Sequence, residues 1–320
     1  VARIVLLVTS PRLPAGLLTA AAWDLVRSAP VLTGHASGQA EALRSAGCAV
    51  TVLSSPDADA LIAAATEHGT VVWLAGPGGD EELARELGLR LVRQPELAEL
   101  EVRYGSWDPP GARLLDVVTV MDRLAAPDGD PWKREQTHQS LARYLLEEAY
   151  EAYDAIEAHD LDALREELGD VLLQVALHAR MAHDAEHPWT IDDLAAGLVT
   201  KLVRRNPHVF GDEEVVDIEE ITANWERIKQ EEKARGSALD GIASSQPALA
   251  LAEKILSKAR RANLPVELPP PPADVEDADG LGAALFGLVS RAYELDLNAE
   301  AALRRAALAQ ADAIRAAESG

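Results

Sequence analysis

The residues best able to do chemistry are two short acidic runs, Glu147-Glu148-Ala149-Tyr150-Glu151 and Glu166-Glu167-Leu168-Gly169-Asp170. Glu148 and Glu151 stand three residues apart, Glu147 and Glu151 four apart, and Glu167 and Asp170 three apart. On a helix, residues so spaced share a face. Carboxylates gathered on facing surfaces repel one another and must either take up protons or bind a cation. An all-oxygen set with no His or Cys suits a hard ion, Mg²⁺ or Mn²⁺, which keeps several waters and can carry a phosphate. A solvated acidic face is the plain reading of each acid taken singly; two runs on two facing helices favour the metal. A ferritin-like di-iron site needs Glu-x-x-His on two helices, and no His stands three residues after any of these acids. Arg165-Glu166-Glu167-Leu168-Gly169 has the look of a Nudix-type signature, but no Gly occurs between Gly129 and Gly169 to supply its upstream loop.

A second group carries positive charge. Lys201, Arg204 and Arg205 are spaced to share a helix face opposite Leu194, Leu198, Leu202 and Val203. Arg and Lys together can clamp a polyphosphate, and the same cations would equally serve as salt-bridge partners. Trp225 offers a stacking surface for a base, yet Ile221, Trp225 and Ile228 also form an apolar stripe. His178 continues the row of Asp170 and Gln174 and reads as a histidine of the helix seam.

Helices must position these groups. Leu141, Tyr144, Leu145, Ala149, Ala152 and Ile156 recur at helical spacing, as do Leu161, Leu164, Leu168, Val171, Leu172 and Val175. Only Ala158-His159-Asp160 separates the two stripes, and Asp160 can cap the second, so they form an antiparallel hairpin with the acids at its seam. A third helix runs from Ile191 to Asn206, and a fourth from about Ile218 to Ala234. Before this helical region, apolar runs at 4–8, 50–53 and 71–74 alternate with helical stretches, a βαβ rhythm that implies a small parallel sheet. Gly76-Pro77-Gly78-Gly79-Asp80 follows a strand but lacks the Lys-Ser/Thr of a phosphate loop, and reads as a strand-to-helix turn. The fold expected is mainly α, an all-α helical bundle preceded by a small α/β domain. Its divisions are residues 1–93 (α/β), a linker at 94–113, a catalytic helical domain at 114–235, a linker at 236–247 and a helical half at 248–320, with a polyproline spacer at 269–272.

Composition narrows the partners. The 320 residues carry 30 Lys+Arg against 53 Asp+Glu, a formal net charge of −23, which argues against nucleic acid and anionic membranes as partners. Cys48 is alone and cannot form an internal disulfide. No run of ~18 apolar residues occurs, and Val1 to Val8 lacks the basic n-region and long apolar core of a signal peptide, which leads to the expectation of a cytoplasmic, unexported chain.

Taken together, Glu147-Glu148-x-x-Glu151 and Glu167-x-x-Asp170 resemble the EExxE…ExxD signature of the MazG family of nucleoside triphosphate pyrophosphohydrolases. The flanks are similar too: Asp130-Pro131-Trp132-Lys133-Arg134-Glu135-Gln136-Thr137-His138 precedes the first helix, and the run from Lys201 through Arg205 to Phe210 follows the second. The likeness spans about 114–233. It implies an all-α homodimer that cleaves NTP or dNTP between the α and β phosphates, with Glu148, Glu151, Glu167 and Asp170 ligating Mg²⁺ and Glu147 in support. It further implies phosphate contacts from Lys201 and Arg205, with Arg204 in the same basic cluster, Trp225 against the nucleoside and Lys133 from the preceding loop. Asp130 stands where the family often has Cys. Many relatives carry a second copy of the domain; here Gly280 and Ala283 align with Glu167 and Asp170, so the tail resembles a copy that has lost its ligands. Residues 1–93 resemble, faintly, a degenerate methylase-like remnant. Two rivals remain, a non-catalytic nucleotide- or protein-binding regulatory module and an alarmone hydrolase; the complete acid set disfavours the first.

Overall fold

The run Arg3–Val8 (RIVLLV) forms β1, and around it lie β2 (Val31–Thr33), β3 (Val50–Val52), β4 (Thr70–Leu74) and β5 (Glu99–Tyr104). The order is β3-β2-β4-β1-β5, with every neighbouring pair parallel. Alternation along the strands sends Ile4, Leu6 and Trp73 to one face and Leu7, Val72 and Leu74 to the other. The first face packs on α3 (Ala58–His68) and α4 (Glu81–Arg93), the second on α1 (Ala20–Ser28) and α2 (Gly38–Ser45), where Cys48 is also buried. Thr19, Ser37 and Asp57 cap α1, α2 and α3 with their side chains. The Gly76–Asp80 turn is structural: one carboxylate oxygen of Asp80 accepts from both Trp73 Nε1 and Gly76 N at 2.9 Å.

This is a computed structural model that describes residues 2–211, 217–231, 237–262, 264, 275 and 277–318. The chain divides into two units, Val1–Gly197 and Leu198–Gly320. The segment 94–113, expected to be a linker, contains β5 and closes one edge of the sheet. Its charges hid it. Glu99, Glu101 and Arg103 alternate along an exposed edge strand, with Glu101 pairing to Arg3 and Arg103, so no apolar run marks it. β2, Val31-Leu32-Thr33 between Pro30 and Gly34, was not foreseen.

After the sheet come α5 (Arg113–Ala125), the short α6 (Pro131–Arg134), α7 (His138–Glu157), α8 (Leu161–His183) and α9 (Ile191–Arg205). Thr137 and Ser140 close a reciprocal capping box at the start of α7. The α7–α8 turn is tight: Asp160 N donates to Ala155 O and His159 N to Ile156 O, while the Asp160 carboxylate caps α8 through Asp162 N and Ala163 N. Met121, Leu141, Ala176 and Leu177 form the core where α5, α7 and α8 meet. Gly129 is required at the turn before α6, since a Cβ there would lie 2.3 Å from Leu124 O.

Beyond α9 lie α10 (Pro207–Phe210), α11 (Ile218–Glu231), α12 (Ala248–Arg261), α13 (Ala278–Glu294) and α14 (Ala299–Glu318). The last three pack around Ala252, Leu256 and Val289. α13 and α14 are parted at Leu295 to Asn298, where Asp296 takes φ 55°. The polyproline run at 269–272 lies outside the described residues. No helix among the described residues is long and apolar enough to cross a membrane.

Candidate metal centre

The hairpin does what the spacing of the acids requires. Glu148 and Glu151 descend α7 toward the turn, and Glu167 lies on the returning α8. One carboxylate oxygen from each of the three falls within 4.8 Å of the others, close enough to share one ion. Glu148 and Glu167 are partly buried and Glu151 is exposed. Burial raises the Glu148 carboxyl above the ordinary glutamate range, and the charges of Asp170, Glu151 and Glu147 push it further. Burial likewise raises Glu167, followed by the charges of Glu151, Glu166 and Asp170. Asp170 is half-buried and acts on Glu148 and Glu167 through its charge; Glu147 is exposed and acts on Glu148 more weakly. These oxygens are short of positive charge, which a hard divalent cation supplies.

Lys133 is not among them. It pairs with Asp130 at 3.2 Å, lies over the Trp132 ring, and lines a recess of about 330 Å³ with Met121, Leu177 and Arg180. Asp130 itself caps α6 through Trp132 N, which gives this position a structural use. Lys201 and Arg204 lie exposed on α9, and Arg205 stacks its guanidinium 5.2 Å from the Trp225 ring centre within the second unit. Ile228 is buried on the same stripe as Trp225, in keeping with a packing role for that face of α11. The apolar stripe of α9 is uncovered: Leu194, Leu198, Leu202 and Val203 are all exposed and no residue of the helix is buried.

Sequence reasoning did not foresee the partner of His178. Its Nδ1 lies 2.7 Å from Nδ1 of His138, the first residue of α7. A signal for it exists in the hairpin itself. In an antiparallel pair, residues equidistant from the turn face each other: Glu151 and Glu167 lie eight residues to either side of His159, and Glu148 and Asp170 eleven. His138 and His178 lie 21 and 19 residues from the same point, close to that mirror relation.

Residues 136–210, which hold all four acids, match the sequence model of the MazG nucleotide pyrophosphohydrolase domain. A nucleoside triphosphate pyrophosphohydrolase of Mycolicibacterium smegmatis is 42% identical over 77% of this chain and 73% of its own. The enzyme of that name from Escherichia coli K12 is 39% identical over 59% of this chain and 81% of its own. The nucleoside triphosphate pyrophosphohydrolase/pyrophosphatase MazG of Thermotoga maritima is 36% identical over 61% and 82% respectively.

Proposed function

The chain belongs to the MazG family of nucleotide pyrophosphohydrolases, and from that premise we propose that it hydrolyses NTPs and dNTPs, with Mg²⁺, to the nucleoside monophosphate and pyrophosphate. The observation that carries this reading is the meeting of Glu148, Glu151 and Glu167 from two helices, within the segment that matches the family. Glu148, Glu151, Glu167 and Asp170 hold the cation, with Glu147 adding negative charge at the rim. When bound, such an ion offsets triphosphate charge and lowers the pKa of its water. Mn²⁺ satisfies the same oxygen set.

The chain's own residues do the rest. Lys201, Arg204 and Arg205 contact phosphate oxygens, Arg by a planar fork and Lys as a point charge. Trp225 lies against the nucleoside, held by the Arg205 guanidinium stacked on its ring. Lys133 is a further phosphate contact, by way of the loop before α7. The apolar residues that single α7 and α9 helices leave exposed, among them Leu145, Leu146, Leu198 and Leu202, are covered in a homodimer. The protein works in the cytoplasm, clearing unwanted nucleotides. Residues 248–320 are a second helical half without ligands, Gly280 and Ala283 standing in the ligand positions, and their role is structural. Residues 1–93 are a methylase-like remnant that performs no methyl transfer.

The test is a product analysis with purified protein, triphosphates and Mg²⁺. Monophosphate and pyrophosphate are expected; diphosphate and orthophosphate would refute the assignment. Ala at position 148, 151, 167 or 170 should lower turnover at least ~100-fold in a protein that still folds, as loss of a metal ligand does.

A further inference from the structure

The chain has two methionines, Met121 on α5 and Met181 on α8, and both line the recess of about 330 Å³ that Lys133 borders. Leu124 and Leu177 complete its floor; Met121 and Leu177 are 6% and 5% exposed. Thioethers are polarisable and pack favourably against aromatic rings. The volume lies at the small end of the range for small-molecule sites, which combine an apolar lining with a few polar groups. Leu177 and Met181 stand ten and fourteen residues beyond Glu167 on α8, about 15 and 21 Å along the helix at 1.5 Å per residue. The recess is therefore apart from the metal centre. In the proposed hydrolysis Trp225 lies against the triphosphate's nucleoside, which leaves the recess to another ligand.

The rim carries an excess of positive charge. Lys133, Arg134 and Arg180 line it against a single carboxylate, Asp184. Arg180 is engaged with Asp122 at 2.9 Å and Asp184 at 2.7 Å, and Lys133 pairs with Asp130 at 3.2 Å. Arg134 is exposed and has no carboxylate partner among the described residues. One guanidinium left over, on a chain of net charge −23, suits a single phosphate group, which its planar fork can hold by two parallel bonds. A triphosphate needs a metal ion as well, and the one carboxylate at this rim is already tied to Arg180.

We propose that this recess is a second nucleotide site, which takes a nucleoside monophosphate without metal: the base lies on the floor of Met121, Met181 and Leu177, and the phosphate meets Arg134. The identity of the ligand rests on the hydrolysis proposed above, of which the monophosphate is a product. The enzyme thus holds its own product at a place other than the one where it is made.

The experiment adds AMP, in chelator, to the full chain labelled with methyl-¹³C methionine. Met181→Leu assigns the two methyl signals. Both should shift with AMP through the ring current of the bound base, and ribose 5-phosphate, which lacks a base, should shift them far less. Arg134→Gln changes an exposed side chain and should fold as wild type by circular dichroism, yet bind AMP roughly ten-fold more weakly by calorimetry, the low end for one charged hydrogen bond. Glu148→Gln should bind AMP as wild type does. Binding that moves neither methionine signal, equal shifts with ribose 5-phosphate, undiminished affinity in Arg134→Gln, or no binding in chelator would overturn the second site. Loss of binding in Glu148→Gln would do so too, by placing AMP at the metal centre. Product analysis judges the hydrolysis separately. A chain that binds AMP in this way but releases no monophosphate from triphosphates keeps the second site and loses the hydrolysis; one that releases monophosphate and gives no response to AMP loses the second site alone.

Discussion

Glu148 and Glu167 hold their protons more tightly in the folded chain than an unfolded glutamate does, chiefly through burial and secondarily through neighbouring carboxylates. Without metal, these two groups therefore favour folding when protonated. Their penalty grows as pH rises from the ordinary glutamate range through the raised folded values, and is complete above them. Asp108 and Asp116 act in the opposite sense. Hydrogen bonds from Ser10 and Arg12 respectively lower their pKa values, so their stabilisation is lost on acidification. A variant comparison separates the two. In chelator, Glu148→Gln should melt above wild type at neutral pH, and the advantage should vanish as pH falls below the glutamate range. Mg²⁺ should stabilise the wild type, by about 2.7 kcal/mol at a hundred times its Kd, and stabilise the variant much less. Equal melting curves in chelator at both pH values would contradict the assignment of strain to these carboxylates.

The hairpin that gathers the acids was legible as an element because its apolar stripes keep helical period on both sides of a three-residue break. Its closing geometry was not. Asp160 N to Ala155 O and His159 N to Ile156 O are the paired bonds of a Schellman turn, and they place His159 at φ 55°, where glycine is usual. A side chain in that region costs roughly 1–2 kcal/mol. His159→Gly should therefore raise the free energy of unfolding in urea by about 1 kcal/mol, after the entropy glycine adds to the unfolded chain, and leave turnover unchanged. A loss of stability would mean that the imidazole makes contacts worth more than the strain. β5 failed to show in the sequence for a different reason: an edge strand keeps its charges in water, so Leu100, Val102 and Tyr104 alternate with Glu99, Glu101 and Arg103 and form no continuous apolar run of the kind that marks β1 and β4.

For the whole molecule, the net charge of −23 and the uncovered apolar residues of α7 and α9 pull in opposite directions. Apolar faces favour the proposed dimer; like charge on two protomers opposes it, and salt screens that repulsion over a Debye length of about 8 Å at physiological ionic strength. Sedimentation should give twice the chain mass at moderate salt, with dissociation increasing as salt is lowered. A single-chain mass at every salt concentration would sink the dimer. The first unit also binds a five-stranded sheet and the hairpin into one stretch of chain, 1–197, a division that composition around 94–113 did not suggest.

The sequence by itself determined the donor set and the helical faces that carry it, because three- and four-residue spacing is local and survives any packing. It also determined the parallel sheet, through continuous apolar strands that alternate with helices. Only tertiary structure decided which acids meet. That depends on the rotation of α7 against α8, a property of two surfaces and a turn that no single segment encodes. For the same reason His138 and His178, forty residues apart and unremarkable separately, became a shared proton only when the hairpin closed.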